Sequence, residues 1–304
     1  MGLFSAIRDF LADISPAWLV MAFAGPYVAG ETADEVLAEA KKLHDEQGIL
    51  VTADILGESS KDRGQTERWV SYYISLQKDL QVVPGAGVSV KPTAMGLLVS
   101  EEYCRENIGR IVSQSARIGR FVRIDMEDKT TTDATIRIYR HLRDAGLDNV
   151  GMVFQAYLLR TYDDIAALFD DGYKPNLRIC KGIYKADRDF SRMADINDNF
   201  VRLTDLVVQR GGYPAIATHD ILLIDRITRQ VLKPAGISPR AFEWQMLLGV
   251  PVEQKQQELR RRGEKVRIYL PYGQRRDAAA YCKRRFKENP KLLYFIFKNL
   301  FAKN

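Results

Sequence analysis

Short apolar, β-branched runs alternate with longer stretches of helical periodicity, eight times over, from about Gly48 to the end of the chain. Strands are expected at 48–56, 87–90, 121–124, 150–156, 177–182, 214–218, 240–246 and 265–270, with helices between them. Strands that are apolar throughout are buried on both faces, the habit of parallel strands covered by helices. Eight strand–helix units in about 250 residues match a (β/α)8 barrel. A doubly wound sheet competes, but it uses fewer strands and places a Gly-rich turn after the first. The turn here, Gly57-Glu58-Ser59, lacks that fingerprint. The expected class is therefore α/β, a TIM-like (β/α)8 barrel. Residues 1–47 read as an N-terminal helical arm, 48–290 as the barrel, and 291–304 as a C-terminal amphipathic helix.

In such a barrel, functional side chains gather at the C-terminal strand ends. The expected ends carry Lys91, Asp125, Gln155, Lys181, Thr218 with His219, Gln245 and Tyr269. Strand five interleaves Arg178, Cys180, Lys181, Gly182 and Tyr184, so two long cations sit in an apolar run. A cation buried there needs a partner, and an anionic ligand is one source of it. Each residue also has a plainer role. Lys91 and Asp125 suit a structural ion pair, His219 suits packing at a helix start, Asp220 a helix N-cap, and Cys180 the core.

The last helix of the barrel carries the run Tyr281-Cys282-Lys283-Arg284-Arg285-Phe286-Lys287-Glu288-Asn289. At helical spacing Tyr281 shares a face with Arg284 and Arg285, and Glu288 lies over both arginines. Two guanidiniums beside a phenol suit a small anion with an apolar body, because arginine's planar fork matches a carboxylate. A solvated basic face is the plainer alternative.

The net charge of +6 has its basic excess concentrated after Arg260. It suits an anionic ligand or a membrane surface, and no recognised nucleic-acid-binding module accompanies it. Cys104, Cys180 and Cys282 have no paired spacing, so neither a metal site nor a disulfide framework is expected, and a reducing, cytoplasmic setting follows. No segment reads as a signal peptide, and the apolar stretch at 17–24 is too short to span a bilayer. From the residues alone, a barrel enzyme acting on a phosphorylated metabolite without redox chemistry, of aldolase or isomerase type, stays open.

Taken together in order and spacing, several motifs resemble those of the small monofunctional bacterial proline dehydrogenases. They are Arg123-Ile-Asp-Met-Glu127, Gln155-Ala-Tyr157, Arg178-Ile-Cys-Lys-Gly-Ile-Tyr184, Ala217-Thr-His-Asp220, Glu243-Trp-Gln-Met-Leu247, Arg267-Ile-Tyr-Leu-Pro271 and the run from Tyr281. The resemblance implies a distorted (β/α)8 barrel whose final helix carries substrate-binding arginines. It implies noncovalent FAD and oxidation of L-proline to Δ1-pyrroline-5-carboxylate, with hydride passing from proline C5 to flavin N5 and electrons going on to a membrane quinone. By position, Arg284, Arg285 and Lys91 resemble the cations that hold the proline carboxylate. Tyr184, Leu247, Tyr269 and Tyr281 resemble the walls around its ring, and Tyr269 is counted with Asp125 and Arg178 in the catalytic group. Asp125 resembles the carboxylate beside the substrate, and Arg178 the arginine near the flavin. Gln155, Cys180, Lys181, Gly182, Ala217, Thr218, His219 and Glu288 resemble flavin contacts, and no metal is implied. Ile183 and Asp220 depart from the usual pattern, standing where alanine and asparagine are common. A quinone acceptor implies contact with the inner face of the cell membrane. The apolar faces of residues 4–14 and the Lys-flanked, aromatic 291–304 segment are the expected surfaces for it. A homo-oligomer stays open.

Overall fold

The computed structural model describes residues 27–288 apart from 58, 185 and 186, with side chains of the last helix described through Lys283. The apolar face expected at 4–14, the helix expected at 291–304 and the membrane surface assigned to them lie outside the described residues. Among the described residues no helix is long and apolar enough to cross a membrane.

Eight parallel strands close into a barrel in sequence order, with β1 hydrogen-bonded to both β2 and β8. The strands are β1 (Leu50–Ile55), β2 (Gly87–Val90), β3 (Phe121–Ile124), β4 (Val150–Gln155), β5 (Asn176–Cys180), β6 (Tyr213–Ala217), β7 (Glu243–Leu247) and β8 (Lys265–Tyr272). Around them run α1 (Ala33–Gln47), α2 (Arg63–Leu80), α3 (Glu101–Arg117), α4 (Thr132–Asp144), α5 (Thr161–Asp170), α6 (Met193–Gln209), α7 (Ile221–Ile227), α8 (Glu253–Arg261) and α9 (Arg275–Glu288). The expected class holds.

Local chemistry explains the boundaries. Thr32 and Glu35 form a capping box at the start of α1, and Gly48 ends it in the left-handed conformation at φ 62°. Beyond α7 the chain continues through a π turn, Thr228–Leu232, into Lys233–Ala235. Pro234 in that last piece has no N–H to give the carbonyl four residues back.

The outward side chains of the strands, among them Val51, Val88, Val122, Ile179 and Ile268, pack under the helices in one continuous core. The inward side chains are different: Thr52, Asp54, Ser89, Arg123, Arg178, Glu243 and Gln245 are all buried and polar. Burying such groups is unfavourable unless each finds a partner. The barrel axis is accordingly filled by a hydrogen-bonded network, and one end of that network is the candidate site.

Candidate active site

Asp125 follows β3, where its backbone N–H donates to Val90 O at 2.9 Å. Its Oδ1 accepts from Ser89 Oγ at 2.7 Å and from Arg178 Nη1 at 2.6 Å, and its Oδ2 accepts from the Tyr269 hydroxyl at 2.9 Å. Arg178 also donates from Nε to Gln245 Oε1 at 2.5 Å, and its guanidinium carbon lies 5.1 Å from the Tyr269 ring centroid. One carboxylate thus joins β2, β5 and β8 at the C-terminal mouth. The Arg178 side chain is only 9% exposed, so a partner is required. That partner is Asp125, where the sequence pattern pointed to a ligand or to a Lys91–Asp125 pair.

Lys91 instead pairs with Asp54, at 2.5 Å from Nζ to each carboxylate oxygen. The Asp54 side chain is 1% exposed and that of Lys91 28% exposed, so the pair hangs from the barrel interior into the mouth. The Tyr73 hydroxyl adds a bond to Asp54 Oδ1 at 3.3 Å and accepts from the Ile55 N–H. Burial pulls the Lys91 ammonium down in pKa, but the Asp54 and Asp125 carboxylates outweigh it and the net direction is up. Burial first, then neighbouring carboxylates, pushes the Tyr73 and Tyr269 phenols well above 10.0.

These shifts set an alkaline limit. A raised folded pKa means that the unfolded chain releases its proton first as pH rises. The stabilisation is complete below the unfolded values, 10.0 for tyrosine and 10.5 for lysine, and is lost as pH climbs through the folded ones. Each group contributes a slope of about 1.4 kcal/mol per pH unit. Urea midpoints are expected to fall steeply above about pH 10, and Tyr73→Phe to shallow that fall by about one proton. Identical slopes for the parent and Tyr73→Phe would count against this account.

The β4–β6 side of the mouth has the other character. Gln155, at the end of β4, donates from Nε2 to Glu127 O at 3.1 Å, while its buried Oε1 has no partner. Ala156 N–H donates to Cys180 O and Tyr157 N–H to Lys181 O, which draws the β4 and β5 ends together. Gly182 sits at φ 101°, and a Cβ there would lie 1.5 Å from the Tyr157 ring, so no other residue fits this approach. Lys181 Nζ reaches Asp220 Oδ2 at 2.7 Å. Asp220 also caps α7 through the Leu223 N–H, as its sequence position predicts. Burial acts to raise the Asp220 carboxyl, but Lys181 and the backbone N–H groups hold it below the usual carboxylate range. Thr218 Oγ1 accepts from Asp220 N–H at 3.1 Å, and His219 Nε2 accepts from Leu247 N–H at 2.7 Å, fixing the β6 and β7 ends relative to each other.

This side suits a flavin. Gln155 Oε1 is a buried acceptor awaiting a donor, which a flavin's ring N–H provides. Lys181, Thr218 and His219 bring a cation, a hydroxyl and an imidazole to the neighbouring strand ends. Ala217 and Cys180 close β6 and β5 beside them and are partly exposed, while Ile183 turns outward at 39% exposure. Tyr184 and Leu247 are also partly exposed, and Tyr281 on α9 is buried. Positions 281, 284, 285 and 288 all fall within the helical backbone of α9, as the spacing predicts. The side chains of Arg284, Arg285 and Glu288 lie outside the described residues.

Asp54 is the principal site residue that the sequence pattern does not single out. Its signal is an acid at the inward period of an apolar strand, two positions after Thr52. Gln245 is visible as a polar strand residue, but its hold on Arg178 is not.

Comparison with known proteins shows the family. The proline dehydrogenase family model matches residues 36–296. Proline dehydrogenase 2 of Bacillus subtilis is 33% identical over 307 residues, covering 99% of this chain and 98% of the relative. The proline dehydrogenase of Deinococcus radiodurans is 34% identical over 284 residues, covering 90% and 88%. The crystal structure of proline utilization A from Bdellovibrio bacteriovorus, inactivated by N-propargylglycine, superposes with a TM-score of 0.81 at 23% identity. The match covers 88% of this chain and 33% of that one, so the likeness is one of fold. The family match leaves the phosphorylated-metabolite alternative without support. With the polar mouth of a closed (β/α)8 barrel and near full-length relatives of one kind, the chain belongs to the proline dehydrogenase family.

Proposed function

We propose that the chain oxidises L-proline to Δ1-pyrroline-5-carboxylate, using noncovalent FAD and passing electrons to a membrane quinone. The observation that carries the reading is the Asp125 hub, which holds Arg178 and Tyr269 together at the mouth of the barrel. FAD, when bound, supplies the acceptor for the hydride that leaves proline C5. The chain's own residues bind and orient. Lys91, Arg284 and Arg285 hold the carboxylate of the zwitterion. Tyr184, Leu247, Tyr269 and Tyr281 flank the ring, keeping the C5–H bond aimed at the acceptor. Gln155, Cys180, Lys181, Gly182, Ala217, Thr218, His219 and Glu288 make the cofactor's bed, and Arg178 sets a fixed cation where negative charge accumulates.

Asp125 positions these groups and is a poor general base. A carboxylate offers about four lone-pair sites, and three are taken by Ser89, Arg178 and Tyr269. The proline nitrogen therefore gives its proton to water. By sequence pattern we assign residues 1–47 as an arm and 291–304 as the membrane-facing segment beside the 48–290 catalytic barrel.

The test is dye reduction by L-proline, with D-proline and hydroxyproline as controls, together with chromatography of the pigment released on denaturation. L-proline-dependent turnover and a free pigment that runs as FAD are expected. A colourless protein, a pigment that stays on the chain, or no proline-dependent turnover overturns the reading.

A further inference from the structure

The barrel has a second polar mouth. At its N-terminal end, where β1, β2, β3, β5, β7 and β8 begin, lies a cavity of about 420 Å³. Four cations line it, Arg120, Arg123, Lys265 and Arg267, against one carboxylate, Glu243. That carboxylate is already engaged: Glu243 Oε1 accepts from Arg267 Nε at 2.8 Å and from the Gln245 amide.

Arg123 has no such relief. It is 3% exposed, and its guanidinium donates only to neutral oxygens: Asn176 O at 2.6 Å, Asn176 Oδ1 at 2.5 Å and Met152 O at 3.1 Å. Among the described residues no carboxylate pairs with it. Burial first, then the Arg178 cation, pulls its pKa down to about 9; Glu243 and Asp125 oppose that pull without cancelling it, and Arg267 adds to it. Arg120 donates to Gln81 O, while its buried Nε has no partner. Lys265 Nζ donates to Arg240 O at 2.6 Å and lies 5.3 Å from the Tyr213 ring centroid.

A buried guanidinium that no carboxylate touches is unfavourable, and a roomy cavity lined by four cations and one engaged carboxylate is where a further counter-charge fits. Ligand pockets commonly occupy about 300–1,000 Å³, so the space admits a multi-atom ligand. We propose that this mouth is an anion-binding site for a small metabolite bearing a phosphate or several carboxylates. Arg123 and Arg267 hold the oxyanion at the floor, and Arg120 and Lys265 close over it at the rim. The site is separate from the proline site, which lies at the opposite ends of the same strands.

Inorganic phosphate and, in a parallel arm, citrate are titrated into the flavin-loaded full chain by calorimetry at constant ionic strength. Saturable binding of at least one of them, at one site per chain, is expected; which one binds tells phosphate from carboxylate recognition. Lys265→Met and Arg120→Met should each weaken that binding about tenfold, the scale of one charge-assisted contact. The KM for proline should stay unchanged in both variants and in the parent at saturating anion. No saturable binding of either anion overturns the proposal, and so does binding that both substitutions leave intact. A KM for proline that rises in proportion to the anion also overturns it, because the anion then sits at the proline site. The proline assay runs independently, so failure here leaves the proposed activity standing.

Discussion

Asp125→Asn is expected to lower kcat/KM for L-proline by about two to three orders of magnitude while the barrel still folds. The carboxylate accepts three hydrogen bonds, two on Oδ1 and one on Oδ2. An asparagine keeps one acceptor oxygen and turns a donor toward whatever faced the other. Either Arg178 or Tyr269 then meets an N–H instead of a lone pair, and the Arg178 side chain is too enclosed, at 9% exposure, to find water instead. A misaimed Arg178 or Tyr269 loses stabilisation made in the transition state, and one such positioned electrostatic contact is worth about two to three orders of magnitude in rate. Dye-reduction kinetics on flavin-loaded variant measures the loss. A folded, yellow Asp125→Asn protein with the parental kcat/KM would remove Asp125 from the site.

Lys91→Met comes next in size, and its double mutant separates two roles. Asp54 is buried and relies on Lys91 for its counter-charge. The single substitution should cost about 3–5 kcal/mol of stability and raise the KM for proline about tenfold or more, through loss of one carboxylate contact. Adding Asp54→Asn removes the stranded charge. Stability should then return most of the way in urea denaturation, while KM stays high. If KM recovers together with stability, Lys91 matters only as the partner of Asp54 and is no part of the proline grip.

The barrel was legible in the chain because its periodicity is local. Runs buried on both faces announce parallel strands, and β2 and β3 begin and end where the pattern places them. The departures have long-range causes. β8 runs on to Tyr272, past the expected end at 270, because it stays paired with β1 and because Ala29 N–H donates to Pro271 O and Gly273 N–H to Gly30 O. Those partners lie at the other end of the described chain. β7 starts at Glu243, later than expected, because Ala241 N–H turns back to Ser238 O. The charge pairing was not legible at all. Lys91, Asp125 and Lys181 were visible as strand-end ions and Arg178 as a cation within strand five, but their actual partnerships depend on register across the barrel, which no single strand encodes. Gln155, Thr218 and His219 were placed correctly as positions, because they lie at or just past the ends of β4 and β6.

The closure of the barrel has a consequence for how the protein is made. β1 and β8 pair over six positions, from Leu50 with Arg267 to Ile55 with Tyr272. Arg267 Nη1 also donates to the Val51 carbonyl oxygen at 2.7 Å, across a sequence separation of 216 residues. A ribosome delivers β1 long before β8. Throughout that interval one margin of the first strand has no neighbour, and an open strand margin is what foreign chains add to. Tyr269 arrives with β8, so its hydroxyl reaches Asp125 only after β8 has been made. Each nascent molecule therefore passes through a stage in which Asp125, Gln155, Arg178 and His219 are already translated while the ring is still open, with the margin of β1 exposed to other chains.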